Sequence, residues 1–186
     1  MGLDITRGKK MTTNNPTLYF LRSSEQHIIN KMLPIAFCLK EEVIVENSSP
    51  LNIYKNFYGL STKDLGLYAL VDNEISGAVW IRLLQNSEFP ILNIAVIPKY
   101  RNKGIATAML NQLLLEAGTV FKNIAVKIHN DKKLISFYEN FGFTKLNNSS
   151  EKSLISDKDI LTMTKVLEQK EVLRPSDGYD PRRWMD

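Results

Sequence analysis

Three basic residues and a glycine fall within the short run Lys99–Gly104, where an apolar segment gives way to a helical pattern. The run from Asn93 to Ala106 reads NIAVIPKYRNKGIA: strand, proline, basic turn, glycine, helix. The first N–H groups of a helix have no partners within it and carry the positive end of its dipole. A glycine beside them removes the side chain that would keep a ligand off the backbone. Lys99, Arg101 and Lys103 add positive charge. This combination predicts an anion site, and a pyrophosphate suits it. Two other phosphate-binding patterns are absent. There is no G-x-x-x-x-G-K-[ST], and G-x-G-x-x-G fails because the glycine after Gly104 is Gly118.

A second constellation lies at Ile135–Phe143, ISFYENFGF, with Tyr138 placed 34 residues after Gly104 (138 − 104). Tyr138 on its own suits a packing residue of the core. His27 and His129 are isolated from each other and no metal-ligand spacing exists, so no metal site is expected. Cys38 is the one cysteine, which excludes an internal disulfide and reads as a small buried hydrophobe. Glu41, Glu42 and Glu46 form an acidic stretch that could attract an amine or simply be solvated.

These residues need elements to hold them. Thr17–Arg22 reads as a strand, followed by a helix that Pro34 kinks or ends. Residues 50–58 begin with proline and read as a short second helix, stopped by Gly59. Leu67–Val71, Ile75–Leu84 and Ile91–Ile97 read as three strands of a meander, with a turn at Asp72-Asn73-Glu74 and a bulge or close approach at Gly77. In residues 104–117, Ile105, Met109, Leu113 and Ala117 share one face of an amphipathic helix, which Gly118 ends. Ile124–Ile128 is the next strand. A strand, a crossing helix and a strand require a parallel pair with a right-handed connection. A short helix over Lys133–Asn140 and strands at Phe143–Leu146 and Ile160–Val166 complete the order. The fold class is mixed α/β: a mostly antiparallel sheet of six to seven strands, helices on both faces and a splayed parallel pair.

Both motifs, in this order and spacing, resemble the GNAT superfamily of N-acetyltransferases. The family pattern R/Q-x-x-G-x-G/A is met by Arg101, Asn102, Lys103, Gly104, Ile105 and Ala106, and the later Tyr and Gly-Phe by Tyr138, Gly142 and Phe143. The resemblance covers residues 17–166. It implies acetyl-CoA as co-substrate and transfer of its acetyl group to a primary amine, by direct attack through a tetrahedral intermediate. It implies that the Arg101–Ala106 turn, with Thr107 behind it, holds the pyrophosphate. Ile94, Ala95 and Val96 would pair with the pantetheine arm as an added strand, and an N–H near Val96 would polarise the thioester carbonyl. Tyr138 would be the general acid. Many relatives carry a glutamate on the fourth strand, whereas this chain has Ile91, Leu92 and Asn93. Glu88, just before the strand, is then the nearest candidate base, with water or the 41–46 stretch as alternatives. Relatives often have asparagine six residues before the tyrosine, where Lys132 stands here, so Asn130 would compensate through a shifted loop, or Lys132 and Lys133 would contact the cofactor's phosphates. A degenerate member that binds an acyl-CoA as a sensor is the alternative reading. The family allows a homodimer.

Composition bounds the rest. The 186 residues are 44% hydrophobic and 24% charged, which fits one globular domain rather than a disordered chain. A net charge of +4 is too mild for a nucleic-acid-coating protein. No apolar run is long enough for a bilayer span, and no apolar segment of the signal-peptide kind stands near the N-terminus. Met1–Thr6 fits the loose N-myristoylation pattern, which short sequences match often by chance. The expectation is a cytoplasmic enzyme with a flexible leader at 1–16, an acetyltransferase domain at 17–166 and a tail at 167–186. No metal, nucleic acid or membrane partner is expected.

Overall fold

The computed structural model describes residues 16–37, 50–56, 58–59, 61, 63–84, 87–152 and 159–169. Cys38, the acidic stretch at 41–46 and nearly all of the expected leader and tail lie outside the described residues. The sequence forms a seven-stranded sheet in the order β1-β2-β3-β4-β5-β7-β6. Its strands are β1 (Thr17–Phe20), β2 (Leu65–Val71), β3 (Glu74–Arg82), β4 (Ile91–Val96), β5 (Asn123–His129), β6 (Thr144–Lys152) and β7 (Asp159–Val166). Every pairing is antiparallel except β4 with β5. The helices are α1 (Gln26–Ala36), α2 (Ile105–Ala117) and α3 (Lys132–Glu139).

Local chemistry accounts for the differences from expectation. Pro34 lies inside α1, which runs only to Ala36. The missing N–H removes one hydrogen bond near an end, where the helix loses least. The expected second helix is a 3-10 segment, Pro50–Tyr54. At the β2–β3 turn Asp72 and Asn73 adopt φ of 52° and 62°, the left-handed pair that a tight hairpin needs. The register shifts between Ala69 and Leu70, so the bulge sits at Ser76, next to Gly77 rather than on it. Gly77 is the close approach: a Cβ there would meet the Ala95 carbonyl oxygen at 2.8 Å and Met109 Cε at 2.9 Å. Gly118 is not left-handed (φ −62°). It is confined instead by the Glu168 carbonyl oxygen, 2.4 Å from where its Cβ would stand.

The two faces of the sheet are covered separately. Trp80 donates its indole N–H to the Tyr54 carbonyl at 3.1 Å, on the side of the 3-10 segment. Gly77 meets Met109 of α2 on the opposite side. Ile29, Met32 and Leu33 of α1 and Met109, Leu110 and Leu113 of α2 are fully buried.

A buried ion pair ties the 3-10 segment to the sheet. Arg82 Nε lies 3.1 Å from Asp64 Oδ1, with the two side chains 10% and 2% exposed. The Arg82 guanidinium also donates to the Ile53 and Asn56 carbonyls, and Asp64 Oδ2 accepts from the Gly59 N–H at 2.8 Å. Beside them Tyr58 donates to the Leu21 carbonyl, and burial, with Asp64 nearby, raises its phenol pKa. Removing one partner of such a pair strands the other charge. Arg82→Ala is therefore expected to destabilise the protein by about 3–5 kcal/mol in urea unfolding.

Candidate active site

The site begins with how β4 spends its hydrogen bonds. The β3–β4 register runs unbroken from Gly77 opposite Val96 to Arg82 opposite Ile91. One step beyond, the Ile97 N–H donates to the Ser76 carbonyl at 2.9 Å. Main-chain groups in such a ladder alternate sides. Ile91, Asn93, Ala95 and Ile97 therefore bond toward β3, while Leu92, Ile94 and Val96 present N–H and C=O to the other side. On that side Ala125 donates to the Pro90 carbonyl at 2.9 Å, and Leu92 opposite Val126 is the last β4–β5 partner pair. Past Leu92 the two parallel strands separate. The main-chain groups of Ile94 and Val96 face the gap, and Arg101 Nε reaches the Val96 carbonyl at 3.1 Å.

The gap is the deep end of a cleft of about 560 Å³, walled by β4, β5, the start of α2 and α3, with the end of α1 at its rim. Ile94, Ala95 and Val96 line it from β4. Arg101, Asn102 and Gly104 stand at its mouth, and Ile105, Ala106 and Thr107 form the first turn of α2 along it. Lys133 and Tyr138 enter from α3.

The mouth has the geometry of an anion cradle. Asn102 and Gly104 take φ of 61° and 76°, both left-handed. The first α2 bond runs from the Ala108 N–H to the Gly104 carbonyl at 2.9 Å, and the N–H groups of residues 102–107 bond to no described residue. A Cβ on Gly104 would have nothing within 4 Å, so the space over this turn is open. Such a nest of N–H groups at a helix start suits a phosphate group.

Other expected residues are engaged elsewhere. Lys103 lies over the Tyr100 ring, 5.4 Å from its centroid. Lys99 pairs with Glu74, whose carboxyl is held low by hydrogen bonds from Lys99 and Tyr100. Asn130 donates its N–H to the Asp159 carbonyl at 3.2 Å, and its side chain does not line the cleft. Glu88 is exposed ahead of β4, outside the cleft. Lys132 opens α3 behind the cap residue Asp131, whose carboxylate accepts from the Lys133 and Leu134 N–H groups at 2.8 and 3.1 Å.

Tyr138 is 3% exposed, with Phe137 and Phe143 edge-on to its ring at 5.1 and 5.4 Å. Burial pushes its phenol above the usual range, so the group keeps its proton. Asn93, Lys127 and His129 also line the cleft, and none of them stood among the candidates. Asn93 Nδ2 and His129 Nδ1 are buried with no hydrogen-bond partner among the described residues. Among the described residues no carboxylate lines the cleft.

Residues 63–145 match the family model of the acetyltransferase (GNAT) domain. The chain carries a GNAT acetyltransferase domain. By that domain it is an acyltransferase. A comparison with curated proteins finds no significant match. Solved structures share the GNAT fold at low identity. An acetyltransferase of the GNAT family from Streptococcus pneumoniae aligns with a TM-score of 0.64 at 17% identity, over 82% of this chain and 99% of its own. A phosphinothricin acetyltransferase from Sinorhizobium meliloti, in complex with acetyl-CoA, gives 0.63 at 16%, over 88% and 94%. The spermidine/spermine N-acetyltransferase SpeG from Vibrio cholerae gives 0.58 at 16%, over 83% and 94%. Among the described residues no helix is long and apolar enough to cross a membrane.

The open turn of the GNAT domain yields a direct test. Gly104→Glu puts a carboxylate into the space above the N–H nest. The variant is expected to lose acetyl-CoA affinity by roughly 30-fold or more, from about 2 kcal/mol of lost helix-terminus interaction. Isothermal titration measures this, and a thermal melt checks that the fold persists.

Proposed function

We propose that the protein is an acetyl-CoA-dependent N-acetyltransferase that acetylates a primary amine. The observation that carries this reading is the parting of β4 from β5 beyond Leu92, with the N–H nest of residues 102–107 at the mouth of the gap. The parting exposes strand groups to an extended ligand, and the nest holds that ligand's anionic end. Acetyl-CoA combines a diphosphate, an amide-bearing arm and a thioester in that order, and supplies the acetyl group.

The chain's own residues divide the work. The nest, with Arg101 and Lys133 beside it, holds the diphosphate. The main chain of Ile94 and Val96 orients the arm, and an N–H of this pair stabilises negative charge on the carbonyl oxygen. Tyr138, kept protonated by burial, delivers a proton to the departing sulfur. The amine must shed a proton before it attacks. Among the described cleft residues, His129 is the imidazole available to take it, directly or through water.

The acceptor is a primary amine whose further structure is open. Spermidine and phosphinothricin, named for two similar folds, differ widely, so neither is carried over. Acetyl-CoA with a panel of small amines and peptides should release free thiol above background with at least one of them. Tight acetyl-CoA binding without turnover on any amine would favour the sensor reading. Tyr138→Phe should slow the productive reaction by about 10²-fold while leaving acetyl-CoA affinity nearly unchanged. Because the phenol pKa is raised, Tyr138 should impose no alkaline loss of rate below about pH 10.

A further inference from the structure

Asn93 is the first β4 residue beyond the last β4–β5 partner pair, and so marks the apex of the cleft. It stands opposite Trp80, on the face covered by the 3-10 segment. The residue is 8% exposed, lines the cleft, and buries Nδ2 with no partner among the described residues. A buried amide without a partner is costly, and native proteins rarely tolerate one without a reason. Nearby strand positions hold apolar residues: Ile91 and Leu92 are buried. A polar side chain is therefore singular at this level of the strand.

The chemistry of Nδ2 limits what completes it. It donates only, and so is the acceptor ammonium's N–H, which excludes a direct pairing between the two. It requires an oxygen or another lone pair at the apex. The diphosphate nest at the mouth fixes one end of an extended ligand. Val96 to Asn93 spans ~10 Å at the rise of a strand, running inward from that mouth. The reactive end of the ligand is the part that arrives at the apex.

We infer that the Asn93 side-chain amide donates a hydrogen bond to the acyl carbonyl oxygen of the bound thioester, as a second donor beside the β4 main chain. The inference rests on the proposed use of acetyl-CoA and adds a side-chain member to its oxyanion site. Two donors polarise the carbonyl more than one does, and a fixed dipole needs no reorganisation as charge develops.

The test is a vibrational difference spectrum of acetyl-CoA labelled with ¹³C at the acetyl carbonyl, bound to the intact protein. Wild type should shift the carbonyl stretch below its value in free acetyl-CoA. Asn93→Leu keeps the side chain's approximate size without the donor, and Asn93→Ala guards against crowding. In both variants the band should move back toward the free value. The preference for acetyl-CoA over CoA should fall roughly threefold to tenfold, as expected for one hydrogen bond. Unchanged spectra in both folded, ligand-binding variants would overturn the inference and leave the acetyltransferase reading standing. No binding of acetyl-CoA to wild type would instead overturn that reading, and this inference with it.

Discussion

The site depends on one constraint: where a sheet splits, a strand keeps one neighbour and leaves the main-chain groups on its other side without a strand partner. Buried N–H and C=O groups are nearly always paired, so a split sheet is stable only if something else meets them. Here β4 is fully paired with β3 and abandons β5 after Leu92. Arg101 meets the Val96 carbonyl, and the remaining groups look into a cleft. The opening is held by packing elsewhere. Met109, Leu110 and Leu113 of α2 are fully buried against the sheet, with Gly77 permitting the close approach. This fixes the start of α2, and hence its N–H nest, at the outer end of the same gap. The free side of β4 and the positive end of the α2 dipole therefore lie along one continuous gap.

The elements and the anion turn were legible in the sequence because each rests on a local rule. Pro98 ends an apolar strand, Gly104 sits where the helical period starts, and φ of 76° at Gly104 is what a glycine supplies at little cost. The parallel pairing of β4 with β5 followed from the crossing-helix requirement. What sequence could not give was side-chain destination. Lys99 and Lys103 look as useful to an anion as Arg101, yet Glu74 and the Tyr100 ring engage them. Glu88 precedes β4 by a few residues but stays at the surface. His129 looked isolated because its cleft neighbours are distant in the chain. One signal was available for Asn93: a polar residue in an apolar strand at the level where relatives place an acid. It read as an absence of glutamate rather than as the presence of an amide.

The polar groups of the cleft fall into complementary kinds. Positive charge and bare N–H groups gather at the mouth, where Arg101, Lys133 and the start of α2 lie. Deeper in stand an amide from β4, an imidazole from the end of β5 and a protonated phenol from α3. That gradient suits a ligand that is highly charged at one end and reacts at its neutral end. The aromatic packing of Phe137 and Phe143 on Tyr138 excludes water from the phenol and so maintains the proton it would give up.

The N–H groups of residues 102–107, which bond to no described residue, are where the proposed diphosphate site is most open to test. The most direct measurement is an amide-resolved NMR titration of the uniformly ¹⁵N-labelled protein with CoA, with dephosphorylated pantetheine as comparison. The account predicts that CoA shifts the amide signals of Gly104 to Thr107 strongly and slows their exchange, while pantetheine leaves them nearly unmoved and perturbs Ile94 and Val96 instead. Amides at this turn that ignore saturating CoA would contradict it.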